Sequence, residues 1–215
     1  MPNTRLKLLK TAAKLFANRG FSGVGVRDIV QKAHVNIAAV HYHFGNKRQL
    51  YLATLHYLVE EGLQKVFQNG KSPFSVDLQT LSFQQVLERL HLLLDKLVDL
   101  NFDPNIELLN QFIAQAEMQQ DNETLKILLE YANPLSNFLR CVLARLTGLK
   151  EESPRLQVLT SVIVGQTRFS KLTRLAILEH FGPQALDNSI SQRKEIIWQN
   201  TSVILKSYQE GKNHL

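Results

Sequence analysis

Apolar residues recur at helical spacing along nearly the whole chain, and nowhere do they alternate as they would in a half-buried strand. That property confines the chain to an all-α architecture. Leu8, Leu9, Ala12, Ala13, Leu15 and Phe16 outline a first helix over residues 4–18, with Asn3 or Thr4 to cap it and Gly20 to end it. Two short helices follow, about 26–32 and 37–44, the second capped by Asn36 and stopped at Gly45 and Asn46. A long helix is predicted over 47–68. Further helices are predicted over roughly 80–101, 105–119, 122–147, 154–181 and 189–210, with breaks at Asp103-Pro104, Asp121-Asn122, Gly148, Ser153-Pro154 and Gly182-Pro183. Pro134 falls inside 122–147 and is expected to kink or split that helix. The stretch 69–77, with Gly70, Ser72, Pro73 and Ser75, reads as a loop where composition changes.

Charge is divided unevenly along this helical chain. Residues 1–50 carry nine basic side chains and one acidic one, Asp28, out of 25 basic and 19 acidic in all. The remainder is close to neutral. A basic end on a neutral body fits a polyanion-binding module and fits a merely solvated basic surface, and charge alone leaves both open. The hydrophobic content of 44% is enough for a packed core with room for a pocket. Cys141 is the only cysteine, which excludes an intrachain disulfide and a cysteine-based metal site. It reads as a small buried apolar residue; the sharper alternative is a redox sensor, kept open by Arg140 and Arg145. The histidines form no metal pattern, since His41 and His43 are two apart on a helix and diverge. Arg5, Lys7 and Lys10 interrupt what would have to be a secretory signal, and no apolar run approaches the roughly 18 residues needed to span a bilayer. A soluble, cytoplasmic protein with no membrane partner is expected.

The short helices at 26–44, separated by Ala33-His34-Val35-Asn36, have helix-turn-helix spacing. Ile29, Val30, Ala33, Val35, Val40 and Phe44 would clamp the pair against the first helix through Leu9, Ala13, Phe16 and Phe21. That leaves Ile37, Ala38, Ala39, His41 and Tyr42 facing outward, with two small alanines that allow close approach to base edges in a major groove.

The stretch from Leu8 to Leu55 resembles the DNA-binding domain of the TetR (tetracycline-repressor) family. The similarity rests on the first helix with its Gly20-Phe21 end, on VRDI at 26–29 and on YHFGNK at 42–47, and VNIAAVHYHFGNK is similar to one branch of that family. Later fragments, ARLTG at 144–148 and VGQTRF at 164–169, resemble the same branch more weakly. Three positions depart from the pattern: His34 stands where the family usually has glycine, Asn36 where it has Ser or Thr, and His41 where it often has Tyr. A Cβ at a positive-φ turn is strained, so His34 is expected either to alter the turn or to adopt the left-handed conformation at a cost.

The resemblance implies a helix-turn-helix domain over 1–55 and a larger helical ligand-sensing and dimerisation domain over 56–215. It implies DNA contacts by Arg27, to guanine or phosphate, by Lys47, to phosphate, and by His41 and Tyr42, with Ile37, Ala38 and Ala39 setting sequence preference beside the cap Asn36. For His43, phosphate contact and structural packing are left open. Lys7, Lys32 and Arg48 read as diffuse electrostatics. The expected partners are a palindromic double-stranded operator, a second copy of the chain and a small-molecule effector. The dimer interface is placed on Leu159, Val162, Ile163, Gln166, Phe169, Ile197, Ile204 and Tyr208, the alternative being that these faces form the monomer's own core. Gln111, Gln115 and Arg168 are the candidate ligand contacts. Repression relieved by the effector is the commoner behaviour in the resembling family. A ligand-independent architectural or partner-dependent DNA-binding protein is the alternative. Without a phosphate loop, nucleophile elbow or paired metal ligands, neither a catalytic residue nor a cofactor is expected.

Overall fold

The computed structural model describes residues 3–66, 77–168 and 171–210, with side chains described for 4–62, 77–130, 134–168 and 173–210. Among these residues there are ten α-helices, one 3₁₀ turn and no strand, so the chain is all-α as the periodicity predicts. The helices are α1 (Asn3–Arg19), α2 (Val26–Ala33), α3 (Ala38–Phe44), α4 (Lys47–Val66), α5 (Phe83–Leu100), α6 (Pro104–Met118), α7 (Asn122–Thr147), α8 (Pro154–Thr167), α9 (Lys171–Phe181) and α10 (Pro183–Glu210). They divide between two compact units. One is built from α1–α4, α6 and residues 122–132 of α7, the other from α5, residues 133–147 of α7, and α8–α10. This division differs from a boundary between residues 55 and 56, because α6 packs closely on α1 and α4.

Most helix ends follow from local chemistry. Asp103 accepts from the Asn105 N–H (2.8 Å) ahead of Pro104, which suits a first helical position because its missing N–H is not needed there. Ser82 and Gln85 form a reciprocal capping box, with Gln85 N–H to Ser82 Oγ at 3.2 Å and Ser82 N–H to Gln85 Oε1 at 2.9 Å. Gly182 ends α9 with φ +81, and its N–H donates to the Leu178 carbonyl. The helix predicted from 189 begins earlier, at Pro183.

Residues 122–147 form one helix with Pro134 inside it, so of the two outcomes expected at the proline the split does not occur. One expectation is corrected. The helix predicted over 154–181 is two, because α8 ends at Thr167 and Arg168 turns extended (φ −67, ψ 135). No glycine or proline causes that break. Instead, side chains from distant segments take the released carbonyls: Arg193 donates to those of Gln166 (2.6 Å) and Arg168, and Asn101 to that of Thr167 (2.8 Å). These donors satisfy carbonyls that a helix end leaves without an intrahelical partner.

The first unit is organised around an aromatic centre. Phe16, Phe112 and Tyr51 are fully or nearly fully buried, with ring centroids 5.0 Å apart for Phe16–Tyr51 and 4.5 Å for Tyr51–Phe112. Leu8, Leu9, Ala12, Ala13, Ile29, Val40, Leu50, Leu55 and Leu58 close around it. The second unit buries Leu90, Leu94 and Val98 of α5 against Leu139, Val142 and Leu143 of α7, Leu156 and Ile163 of α8, and Ile197 and Leu205 of α10. No helix among the described residues is long and apolar enough to cross a membrane.

Candidate nucleic-acid interface

The helix-turn-helix is fixed by short-range bonds before any packing is considered. Asp28, one turn into α2, accepts from the Gly25 N–H (2.9 Å) at the helix entry. At the other end His34 adopts φ 53, ψ 51, its N–H donates to the Gln31 carbonyl (3.2 Å), and the Val35 N–H reaches back to the Val30 carbonyl (3.0 Å). The histidine therefore takes the left-handed conformation rather than altering the turn. Asn36 then caps α3, its Oδ1 accepting from the Ala38 N–H at 2.9 Å, so this oxygen serves the helix and leaves the amide NH₂ group as the polar end available outward.

Burial of Val40 and Phe44 pins α3 by one face, and the other faces solvent. On that face Tyr42 is 85% exposed and Ile37 42% exposed, Ala38 and His41 are exposed, and Ala39 is half-buried. His41 is tied back, its Nδ1–H donating to the Gly45 carbonyl at 2.9 Å, which orients the ring and leaves Nε2 as its outward atom. His43 is half-buried with its ring edge-to-face against Tyr42, centroids 4.9 Å apart. Thr4, His34, Val35, Asn36, Ala38, Ala39, Tyr42 and His43 line one open groove. Arg27, exposed at the start of α2, lies outside that lining, as do Ile37, His41 and Lys47.

The start of α4 differs most from the sequence reading. Asn46 caps it, accepting from the Gln49 N–H at 2.9 Å, and Lys47 lays its Nζ 4.3 Å above the centre of the Phe21 ring. Arg48 is not a diffuse surface charge. Its guanidinium grips Asp121 at 2.7 and 3.0 Å, touches Glu123, and lies over the rings of Phe21 and Tyr51. The Arg48 bond, aided by Thr124, pulls the Asp121 carboxyl down to about 2, while Arg48 itself is shifted upward, chiefly by its bond to Asp121. The motif alone could not reveal this pairing, since the partner lies 73 residues away in sequence.

The other predicted residues separate. Leu159, Ile163 and Ile197 lie within the second unit's own core, with Ile204 and Tyr208 half-buried against it. Helical phase turns Leu159, Ile163 and Ile197 inward, while Ile204 and Tyr208 keep part of their surface exposed. Val162 is exposed; Gln166 is half-buried and its Oε1 accepts weakly from Asn200 (3.4 Å); Phe169 lies outside the described residues. Beside these, Val158, Ile196 and Val203 are 61%, 55% and 68% exposed. Gln111 and Gln115 belong to the first unit and Arg168 to the second. Gln111 is bonded to Glu107 (3.4 Å), and Gln115 accepts from Gln119 where both lie against Gly20. Cys141 has Glu151 3.5 Å from its sulfur, and burial together with that carboxylate pushes the thiol upward, the opposite of what a reactive thiolate requires. Among the described residues no group of three His, Cys, Asp or Glu side chains could hold a metal ion.

The profile of bacterial regulatory proteins of the tetR family matches residues 8–54. The profile of the C-terminal domain of the HTH-type transcriptional dual regulator CecR matches residues 86–207, more than half of the chain. YttP of Bacillus subtilis (strain 168), a candidate HTH-type transcriptional regulator, is 36% identical over 76 residues, 34% of this chain and 35% of its own length. A candidate acrEF/envCD operon repressor of Escherichia coli (strain K12) is 33% identical over 87 residues, 40% of this chain and 37% of its own length. The chain thus matches little more than a third of the length of either relative. A solved candidate transcriptional regulator from Saccharomonospora viridis, in complex with choline, has the same fold. Its TM-score is 0.57 at 18% identity, covering 92% of this chain and 96% of that one.

Proposed function

The chain belongs to the TetR family of bacterial regulatory proteins, with a C-terminal domain of the CecR type, and from that premise we propose that it is a dimeric repressor that leaves a specific operator when a small molecule binds its C-terminal helices. It is a transcriptional regulator, a family whose members act by binding DNA rather than by catalysis. The observation that carries the operator reading is the outward face of α3. A tyrosine 85% exposed stands on a helix whose opposite face is locked into the core, in a segment holding nine basic residues and one acidic one. In this reading residues 1–55 meet the operator. Arg27 holds phosphate or guanine and Lys47 phosphate; Tyr42 donates at the groove edge, where the Nε2 of a neutral His41 ring accepts; Ile37, Ala38 and Ala39 set preference by apolar contact.

One short half-site gives weak discrimination, so the reading includes a dimer spanning half-sites roughly 34–36 Å apart. The surface favoured for it is the exposed stripe Val158 and Val162 on α8 with Ile196 and Val203 on α10. Gly165 adds to this choice, for a Cβ built there would meet nothing within 4 Å, leaving room for a second backbone. The choline held by the Saccharomonospora viridis protein supports a small-molecule effector. An effector relieves repression only if it binds the DNA-incompetent conformer more tightly.

The test is retention of genomic DNA fragments by the purified protein at near-physiological salt, beside the double variant Tyr42→Ala/Lys47→Ala. The expected result is that a few palindromic fragments are held far more tightly than the rest and that the variant releases them. Uniform binding with only a steep salt dependence would replace this reading with a ligand-independent architectural role.

A further inference from the structure

The helix-turn-helix carries an imidazole at a backbone position that favours no side chain at all. His34 holds φ 53 and ψ 51, where a Cβ crowds the following carbonyl and glycine is at ease. The backbone bonds of that turn use only the main-chain N–H groups of His34 and Val35, so nothing in the turn itself needs the ring. The ring is exposed, and it lines the same groove as Thr4, Asn36, Tyr42 and His43. That lining presents a hydroxyl, an amide NH₂, a phenol and two imidazoles, and it contains no carboxylate. Every one of those groups can donate a hydrogen bond.

We propose that His34 is itself a DNA-contacting residue, donating to a backbone phosphate at the mouth of this groove, so that DNA affinity rises as the pH falls from 8 to 6. The proposal rests on the DNA-binding reading above. Imidazole is the side chain whose charge changes over that interval, and a protonated ring adds both a donor and a counter-charge to phosphate. The charged side chains of residues 1–50 are nine cations and one carboxylate, Asp28, which is engaged with the Gly25 N–H, so a charged ring at position 34 is favoured by the phosphate it meets and not by its own segment.

The experiment measures binding of the full chain to two labelled 30-base-pair duplexes at pH 6, 7 and 8. One carries a palindrome recovered from the genomic selection and the other is of random sequence. The wild type, His34→Asn, His34→Gly and His34→Lys are compared, with thermal unfolding of each. The wild type is expected to bind about tenfold more tightly at pH 6 than at pH 8, as one or two added phosphate contacts would give. His34→Asn tolerates the left-handed turn without titrating, and should lose affinity about five- to tenfold at pH 6 and flatten the pH dependence. His34→Gly should do the same while its unfolding temperature holds or rises, a combination that a purely structural histidine would not give. His34→Lys should keep the tight binding at pH 8. If the Asn and Gly variants match the wild type at every pH, His34 is only a turn residue and the proposal is overturned. If the wild type binds neither duplex at any pH, the DNA-binding reading fails and takes this proposal with it.

Discussion

Replacing Arg48 by Met and Asp121 by Asn, singly and together, isolates the interaction that ties the start of α4 to the α6–α7 turn. The pair is bidentate at 2.7 and 3.0 Å, with the two side chains 27% and 17% exposed. Lowering a carboxyl from 3.8 to about 2 corresponds to at most about 2.4 kcal/mol, at about 1.36 kcal/mol per pH unit. Solvent reaches both partners and screens them, so about 1–1.5 kcal/mol is expected as the coupling energy in a double-mutant cycle. Asn at 121 can still accept from the Thr124 N–H, now at 3.2 Å, so that single variant removes mainly charge. Met at 48 also removes the guanidinium from over Phe21 and Tyr51, so its own cost should be the larger. The sign of the pH dependence follows from a depressed carboxyl: the stabilisation is complete above about pH 5 and is lost as the pH falls through 4 toward 2, with about half gone at pH 3. Urea unfolding followed by circular dichroism, at pH 7 and pH 3 and at 0.05 and 0.5 M salt, reads all of this. A coupling energy below about 0.3 kcal/mol at pH 7 and low salt would refute the reasoning, because a bidentate pair of this geometry would then be worth no more than a loose surface pair.

Three other outcomes follow from the structure. Gly20→Ala should destabilise by about 1–2 kcal/mol, and removing Gln119 should not restore it. The new Cβ would fall 1.8 Å from the movable Gln119 amide, but the φ of +67 stays strained whatever moves. Val162→Glu, at a site 51% exposed, should leave the unfolding temperature within about a degree and shift the species seen by analytical ultracentrifugation from dimer to monomer. Cys141 should react with a thiol reagent at pH 7 several-fold more slowly than free cysteine, and Glu151→Gln should speed it, since that carboxylate helps to hold the thiol protonated.

Features set by neighbours in sequence were legible, and features set by distant partners were not. Asn36, Gly20 and Gly45 act within a few residues of where they stand, so α1–α3 could be read nearly to their ends. The break after Thr167 could not be, because no glycine or proline marks it and the donors that satisfy its carbonyls, Arg193 and Asn101, are distant in sequence. The apolar series Ile190, Ile197, Ile204 was visible as a repeat of seven, yet periodicity does not say which body it faces. One step of 100° away, Ile196 and Val203 form a second series with the same spacing, and it is this one that solvent reaches. A helix that packs on its own unit and also offers a surface to a partner needs both stripes, and the sequence presents them side by side with nothing to rank them.

The pairing of Arg48 also changes how the charge of the first unit should be counted. Nine of its basic residues lie on α1, α2 and the start of α4, while residues 103–132 of the same unit hold six acidic side chains and one basic one, Lys126. Asp121 and Glu123 of that acidic stretch neutralise Arg48, and Lys47 and Arg5 are held over the rings of Phe21 and Phe44. The unit is therefore polarised rather than uniformly basic. Fewer than nine cations are free to displace counterions, so the salt dependence of DNA binding should be shallower than the basic count suggests. Lys47 illustrates the distinction, since a cation above an aromatic face keeps its charge while its stem is ordered, and an ordered lysine loses less entropy when it meets phosphate. Arg48 has no such freedom: its charge is already matched by Asp121 and Glu123, and in the proposed DNA-binding reading it fixes the first turn of α4 on which Lys47 stands.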